Sequence, residues 1–462
     1  MAFKKSVLKV QTDAELLSYI INQDTVLSQE IDLPVQGESI VPIGKLISSN
    51  ERYKNAFINT INLIGLTVIK RNGWDNPWNF TKRGDLNFGQ QVRELMLDLC
   101  NVYDYNQEMK NDPNNTRFLK TVVPNVFNYI HEINFQKFYQ TTTSDEQLAM
   151  AFSKENGLFE FIDIAISMLY ESLKYDTYIT DKYMLCRRIL DGTTTPVQMT
   201  NYDTMSARQR VSFMKNISNM FTFRSLNYNP AGVRKATSFD DQILIVNTQF
   251  EADFSTEVLA TSYFRDEADM RARLALIDGF DNHDTARLTE LLGSAFVAFT
   301  EEELTQLRTI PAVLISREWF MDYDYTLDTN SNTKQTEFYN PTTLRNNHFL
   351  HVWRIFSTSP FENAAVFTTG TPAVTEIAIS PAESTISAGQ TLQLTANVTA
   401  TGFANKAVRW SVTKGAEQGV TVNANGLVTI PADFTPAADA IQITATSVYT
   451  STVTGTASIT VA

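Results

Sequence analysis

The feature that most constrains this chain is a change of composition at residues 369–372. Beyond it charged and aromatic residues become sparse, and threonine supplies 17 of the last 90 residues. Apolar residues there alternate with polar ones, at Leu392, Leu394, Ala396 and Val398, at Val408, Trp410 and Val412, and at Ile441, Ile443 and Ala445. A period of two in short runs separated by Gly, Asn and Pro is typical of half-buried β-strands. We therefore predict a separate all-β sandwich over residues 373–462, with Trp410, Leu392 and Leu394 in its core.

The residues before this break mix helical and strand-like patterns. Apolar side chains recur at helical spacing at Leu158, Phe161, Ile162, Ala165, Ile166, Leu169 and Leu173. This spacing predicts one long amphipathic helix. Thr12 and Glu15 form a capping-box pattern that predicts a short helix near the N-terminus, and the Pro- and Gly-bearing residues 32–46 are predicted to be extended. With strand-like runs in 241–264 and 311–327, the body is predicted to be α+β.

A long excursion between residues 72 and 121 carries many turn-forming residues. Three aromatic side chains stand at its start, namely Trp74, Trp78 and Phe80. A long loop that bears large apolar side chains is better explained by contact with a neighbouring molecule than by a free loop. The alternative is a hairpin folded back on its own domain. We take the three aromatic residues as predicted inter-subunit contacts.

Composition limits the classes of function. The net charge is −13, and no stripe of Lys and Arg is present, which argues against specific nucleic-acid binding, since that requires clustered cations. The first residues turn polar at Gln11 without an apolar run, so no export signal is expected. No stretch of 18 or more apolar residues occurs, and no membrane span is expected. Cys100 and Cys186 are far apart and are both predicted to be buried thiols.

Histidine patterns that suggest chemistry are weak. His348 and His351 lie in a strand-like segment, where a spacing of three sends the two rings to opposite faces, so a shared metal is not expected. His283 stands between Asp281 and Asp284, as a general base beside an orienting carboxylate would. No nucleophile accompanies it, and an ordinary turn is predicted there.

The acidic residues Asp322, Asp324 and Asp328, with Asn330, faintly resemble a calcium loop. They lack its mid-loop Gly and its terminal Glu, so a solvated acidic loop is predicted in place of a cation site. Motifs of the common hydrolases, phosphate-binding loops and zinc enzymes are missing from the sequence. We expect no catalytic residue, no cofactor and no bound metal.

Several segments of the last 90 residues form a recognisable set. They are Ile377, Ile379 and Pro381; Ala388–Leu392; Val408–Ser411; Val420–Val422 with Asn425–Thr429; and Ile441–Ala445. As a set they resemble the bacterial immunoglobulin-like (Ig-like) group 2 module. This resemblance implies that Trp410 is the central core aromatic and that Asn425 and Gly426 supply the positive-φ residues of a tight hairpin.

A second set of segments runs through the body. They are Ile64–Ile69; Asn76-Pro77 with Gly84 and Gly89; Pro124–Val126, His131-Glu132 and Phe138-Tyr139; Ile277–Phe280; Trp319–Met321; His351–Trp353; and Phe361, Asn363-Ala364 and Phe367 through to Pro372–Thr375 and Ser380-Pro381. In order and spacing they resemble the major capsid proteins of small podoviruses of the Salasmaviridae and Rountreeviridae type, which carry the same C-terminal module. The likeness covers most of the chain.

This resemblance implies the tailed-phage major capsid fold, the Johnson fold, over residues 1–372. Its parts would be an N-terminal arm (1–50), an extended loop (70–143), a spine helix (144–192) and the P and A domains (193–372), followed by the Ig-like domain (373–462). The implied function is a structural virion protein, made in the host bacterial cytoplasm, that self-assembles into pentamers and hexamers of an icosahedral or prolate head shell. The implied partners are a scaffolding protein, a portal and packaged double-stranded DNA, which an acidic shell encloses without sequence-specific binding.

Two questions remain open at the level of sequence. The Ig-like domain either clamps neighbouring subunits or binds host cell-wall glycans weakly at many copies. The rival from another class is a surface adhesin or S-layer-like protein, which the Ig-like domain alone would suggest. The expected lack of an export signal and the likeness of the body argue against that rival.

Overall fold

The computed structural model describes residues 13–23, 27–29, 31–36, 40–57, 74–87, 89–97, 99–100, 126–144, 157–250, 273–327, 331–343, 345–432, 434–435 and 440–461. Its α-helices are α1 (Asp13–Gln23), α2 (Ile40–Ser49), α3 (Gly157–Leu190), α4 (Ala207–Phe221), α5 (Thr285–Leu292) and α6 (Glu301–Arg308). The strands of the body are β1 (Lys82–Leu86), β2 (Val92–Leu97), β3 (Val126–His131), β4 (Phe135–Ser144), β5 (Thr195–Gln198), β6 (Gln242–Asn247), β7 (Leu274–Ile277), β8 (Ala312–Ser316), β9 (Asp322–Tyr325), β10 (Thr333–Asn340), β11 (Arg345–Ile355) and β12 (Ala364–Thr368).

Two five-stranded sheets and helix α3 organise the body. The first sheet has the order β1-β9-β11-β10, with β4 also paired to β11, and the second has the order β5-β12-β8-β6-β7. Apolar side chains of α3, including Leu169, Leu185 and Ile189, lie in one core with residues of both sheets. The predicted α+β body and its long helix are thereby confirmed. The predicted strands at 241–264 and 311–327 correspond to β6, β8 and β9, while residues 251–264 lie outside the described residues.

The N-terminal region differs from the extended arm predicted over residues 32–46. Helix α1 is present as predicted, although Thr12 of its predicted cap lies outside the described residues. Residues 40–46, however, belong to helix α2, which buries Gly44 and Ile47. Pro42 stands in the first turn of α2, where a backbone N–H needs no helical partner, so the proline does not prevent the helix.

A small separate core holds this N-terminal region together. It consists of Leu17, Ile20, Ile21, Leu27, Ile31, Val35, Ile47 and Phe57. Tyr170 of α3 packs against these residues. The described part of residues 13–57 is therefore a compact helical unit that lies against α3, and not an extended strand.

The C-terminal residues form the predicted β-sandwich. Its strands are β13 (Ala373–Ser380), β14 (Glu383–Ile386), β15 (Thr391–Gln393), β16 (Thr395–Thr401), β17 (Val408–Lys414), β18 (Thr421–Val422), β19 (Leu427–Thr429), β20 (Ile441–Ser447) and β21 (Thr454–Val461). They pair as β14-β21-β20-β17, β15-β19-β18 and β13-β16. Leu394 is buried in the core, whereas Leu392 and Trp410 are half-buried and pack against it.

The hairpin turn after β18 explains where Trp410 lies. Gly426 has a φ of 81°, and a Cβ placed there would lie 3.0 Å from the indole of Trp410 and 2.5 Å from the carbonyl oxygen of Leu394. Only a glycine fits this conformation and this close approach. Asn425 does not share the positive φ that was predicted for it. Trp410 thus covers the turn at the edge of the core, and is not the central core aromatic.

The two cysteines differ in environment. Cys186 of α3 is buried as predicted, whereas Cys100, just beyond β2, is exposed. The prediction of a buried thiol is therefore wrong for Cys100, which follows a strand whose residues Leu95 and Leu97 are also exposed.

Candidate assembly surface

Of the three aromatic residues at the start of the loop, Trp78 is turned inward. Trp78 is fully buried, and its indole N–H donates a hydrogen bond of 2.9 Å to the carbonyl oxygen of Leu276. Its ring lies edge-on to Tyr178 of α3 at 5.5 Å. A side chain enclosed within its own subunit cannot contact another, so the prediction of an inter-subunit contact is wrong for Trp78. The alternative, a chain segment folded back on its own domain, is correct at this point.

The other two aromatic residues lie closer to the surface. Phe80 is half-buried, with its ring 6.1 Å from that of Phe320. Trp74 keeps 43% of its surface exposed while its ring meets Tyr178 edge-on at 5.6 Å. For these two residues an inter-subunit role stays a prediction.

Strands β2 and β3 form a two-stranded ribbon that is separate from the two sheets of the body. The strands pair with each other in antiparallel register, from Val92 opposite His131 to Leu97 opposite Val126. Residues directly opposite each other share a face of such a pair. One face, which we call the outer ribbon face, is exposed and carries the apolar residues Leu95 (61% exposed), Leu97 (65%), Val126 (50%) and Ile130 (40%), together with the polar Arg93 and Asn128. Leu99, just beyond β2, is 54% exposed.

Contacts of the opposite face hold the ribbon against the body. The buried imidazole of His131 lies 2.7 Å from the Ser357 hydroxyl and 3.0 Å from a carboxylate oxygen of Glu94. The ring of Phe127 lies 6.4 Å from that of Phe361. The direction of the ribbon, and therefore that of the outer ribbon face, is set by its own subunit.

The outer ribbon face was missed at the level of sequence. Leu95, Leu97 and Leu99 recur with a period of two, which was a usable signal, but the neighbouring Val92 and Met96 are apolar as well. When both faces of a strand carry apolar residues, periodicity alone does not tell which face meets the body. Trp74 and Trp78 were predicted as contacts instead, because their side chains are large.

A second apolar surface lies on the sheet β4-β11-β10. Phe138 of β4 and Phe338 of β10 are 58% and 61% exposed, and Phe138 meets Phe349 of β11 edge-on at 5.7 Å. On β11 the predicted alternation is confirmed. His348 is buried beside Thr143, at 2.9 Å, and His351 points to the other face beside Thr336, also at 2.9 Å.

The acidic residues predicted as a solvated loop are in fact buried. Asp322 and Asp324 lie on β9 and are 6% and 5% exposed, while Asp328 and Asn330 lie outside the described residues. Asp324 is paired with Arg354 of β11 and, at 2.8 Å, with Lys82 of β1. Ion pairing compensates the cost of burying its charge, and these cations are far away in the sequence.

The turn predicted around His283 is confirmed. Asp284 caps α5 by accepting a hydrogen bond from the backbone of Arg287. The His283 ring stacks on Phe299 at 4.4 Å and lies 2.8 Å from the carbonyl oxygen of Phe280. Burial, together with the positive charge of Lys182, lowers the pKa of His283 to about 4. Its imidazole is held as a neutral packing element.

In the part of the chain that the structure describes, no group of three or more His, Cys, Asp or Glu side chains is placed to hold a metal ion. None of the helices in that part is long and apolar enough to cross a membrane.

Two family models together match most of this chain. The family model described as Phi29-like phage major capsid protein matches residues 27–368, and that of the bacterial Ig-like domain (group 2) matches residues 373–460. The major capsid protein of Bacillus phage B103 is 28% identical over 93% of this chain and 90% of its own length. That of Bacillus phage PZA is 27% identical over 85% of this chain and 81% of its own.

A likeness to solved structures was also found. A chain from the capsid structure of Staphylococcus phage Andhra has a TM-score of 0.48 and 12% sequence identity, over 66% of this chain and 87% of that chain. Both resemblances drawn from the sequence, for the body and for the C-terminal module, are confirmed by the two family matches.

Proposed function

The chain belongs to the Phi29-like phage major capsid protein family, and on this premise we propose that its outer ribbon face is the contact through which subunits close into pentamers and hexamers. As a major capsid protein it forms the head shell of a phage and is part of the virion. This is a structural role, and the surface adhesin or S-layer alternative is set aside. We also propose that the chain has no enzymatic activity.

The observation that carries the proposal is the exposure of the outer ribbon face. Leu95 and Leu97 of β2 each expose more than half of their surface, while the opposite face of the ribbon rests on the body. Large apolar side chains that are exposed next to one another mark an interaction site in a soluble protein. In a shell the available partner is another copy of the chain, and head-to-tail contacts that close on themselves generate rings. Many weak contacts then act together.

The test is a double substitution, Leu95→Asp with Leu97→Asp. Both side chains are exposed in the subunit, so the fold should be retained, as circular dichroism and thermal unfolding would show. Sedimentation velocity and negative-stain microscopy should detect no rings or shells. A matched control is Val297→Asp, since Val297 is 59% exposed but lies away from the ribbon. Normal shells from the double variant would overturn the proposal.

We extend the proposal to the parts and partners of the shell. The compact region within residues 1–50, the loop 70–143, the spine helix within 144–192 and the two sheets within 193–372 would divide the body as in the tailed-phage capsid fold. Scaffolding protein and portal would guide assembly in the host cytoplasm. The net charge of −13 supports enclosure of double-stranded DNA without sequence-specific binding, because like charges repel.

The role proposed for the Ig-like domain is that of a clamp on neighbouring subunits. Its support is the docking of the domain on its own body, where Phe403 is 2% exposed in the body core and Arg409 bonds to Asn227 at 2.8 Å. A docked domain holds a fixed position relative to the shell, as a clamp requires.

Two outcomes separate the clamp from the host-binding alternative. For a clamp, shells of a Phe403→Ala variant should form but disrupt at lower temperature than wild-type shells. If that variant keeps full shell robustness, while intact wild-type shells cosediment with purified host cell walls, binding of cell-wall glycans replaces the clamp.

A further inference from the structure

Two buried carboxyl groups face each other between helix α3 and strand β9. Asp181 of α3 is fully buried and Asp322 of β9 is 6% exposed. One oxygen of Asp181 accepts a hydrogen bond of 2.8 Å from the Thr81 hydroxyl, and one oxygen of Asp322 accepts a bond of 3.3 Å from the Ser357 backbone. Thr81, which bonds to Asp181, directly precedes Lys82, the register partner of Asp322 on β9, so the two carboxyl groups lie next to each other.

The remaining oxygen of each carboxyl has no donor. Oδ1 of Asp181 and Oδ2 of Asp322 are both buried without a hydrogen-bond partner. A buried acceptor left without a donor costs free energy, and an unpaired buried charge costs more. A proton held between the two neighbouring carboxyl groups would give both of these unpaired oxygens a hydrogen bond.

The charged groups around the pair do not neutralise it. Arg354 of β11 and Lys82 of β1 approach from the two neighbouring strands, but both are ion-paired with Asp324. The three buried carboxyl groups of Asp181, Asp322 and Asp324 therefore have two cations nearby, Arg354 and Lys82. Lys82 is also paired with Asp85, at 2.9 Å. Asp324 itself adds negative charge beside the pair.

We propose that Asp181 and Asp322 bind one proton between them. The pair is then a proton-operated latch between helix α3 and the sheet β1-β9-β11-β10. The proton resides on one carboxyl oxygen and is donated to the orphaned oxygen of the other, so a single O–H satisfies both. The pair then carries one negative charge, which Arg354 balances in part. Thr81 extends the latch to the chain segment that leads into β1 and the ribbon.

Burial and the mutual repulsion of the two carboxylates raise the pKa at which the pair releases its shared proton well above the ordinary carboxyl value. An unfolded carboxyl has a pKa of about 4. The stabilisation by the shared proton is therefore lost as the pH rises through the raised pKa of the folded pair. Alkaline conditions should loosen α3 from β9.

The test compares the thermal unfolding of the full-length subunit at about pH 6 and about pH 9. The wild-type Tm should fall with rising pH. In Asp322→Asn an amide replaces the O–H donor at every pH, so this fall should shrink by about 3 °C or more. Asp281→Asn is the control, because Asp281 pairs with Arg308 at the surface, and it should keep the wild-type fall. An equal pH dependence in all three proteins would overturn the latch.

Infrared difference spectroscopy of the wild-type protein tests the same proton without relying on a variant. The carbonyl band of a protonated buried carboxylic acid should be present at about pH 6 and should vanish as the pH rises. Absence of the band at about pH 6 would overturn the proposal. A Tm that falls on addition of a chelator and recovers with Ca²⁺ or Mg²⁺ would also overturn it, since a metal ion would then join the two oxygens.

Discussion

The backbone N–H of Lys406 donates a hydrogen bond of 3.2 Å to the carbonyl oxygen of Gly192, just beyond the end of helix α3. Lys406 belongs to the Ig-like domain and Gly192 to the shell body. The contact is close, since a Cβ at Gly192 would lie 2.7 Å from the carbonyl oxygen of Ala404. Helix α3 therefore ends against the Ig-like domain, and the two parts of the chain share a packed joint.

Substitution of Phe403 tests this joint. Phe403 lies in the core of the body although it comes from the Ig-like domain. Phe403→Ala should lower the free energy of unfolding by about 3–5 kcal/mol, because it removes a buried aromatic ring and leaves a cavity. Arg409→Ala removes only a surface hydrogen bond to Asn227 and should cost less than about 1 kcal/mol. Chemical denaturation measures both, and equal small losses would contradict a packed joint.

The two tryptophans at the start of the loop should respond differently. Trp78→Ala should destabilise the subunit by about 3–5 kcal/mol, since the side chain is fully buried. Trp74→Ala should cost the subunit far less, because the side chain is 43% exposed. If Trp74 serves an inter-subunit contact as predicted, its loss appears in assembly yield. Normal assembly of Trp74→Ala would remove Trp74 from that contact.

Gly426 supplies a test of the turn in the Ig-like domain. Gly426→Ala should destabilise the protein by more than about 1 kcal/mol, because the alanine meets both a positive φ and the indole of Trp410. Gly232→Ala is the matched control: its φ is +62°, but nothing lies within 4 Å of an added Cβ. The difference between the two losses isolates the steric contact. A control loss as large as that of Gly426→Ala would show that conformation alone matters.

Features encoded by neighbouring residues were predictable from the sequence. The spacing of Leu169 and Leu173 predicted α3, and the alternation around Leu394 predicted the sandwich. The predictions that were wrong concern residues whose partners are far away in the sequence. Asp324 is buried because Lys82 and Arg354 reach it from β1 and β11, and a local acidic pattern does not contain those cations. Trp78 is enclosed for the same reason, since Leu276 accepts its hydrogen bond from another part of the chain.

The two thiols should be chemically distinct in the free subunit. Cys100 is exposed, whereas burial raises the pKa of Cys186 to about 12. Because the thiolate is the reactive form, a thiol reagent at neutral pH should label one cysteine per folded chain and two per unfolded chain. Mass spectrometry of the labelled peptides identifies the site. Rapid labelling of Cys186 in the folded subunit would contradict its burial.

His283 predicts a loss of stability in acid. Burial and the charge of Lys182 lower its pKa to about 4, below the value of about 6.5 in an unfolded chain. For a group whose folded pKa is depressed, the stabilisation is present above the unfolded pKa and is lost as the pH falls towards the folded value. Wild-type stability should therefore decline between about pH 6.5 and pH 4. In His283→Gln, which retains a donor for the Phe280 carbonyl, this part of the decline should disappear.

Denaturant unfolding at several pH values measures that difference. Other carboxylates also titrate in this range, so both proteins should lose stability as the pH falls, and the informative quantity is the difference between their slopes. A steeper slope in the wild type at about pH 5–6 agrees with a neutral, buried imidazole that must take up a proton on unfolding. Parallel slopes would mean that the pKa of His283 is not lowered in the folded subunit, and would contradict its burial beside Phe299.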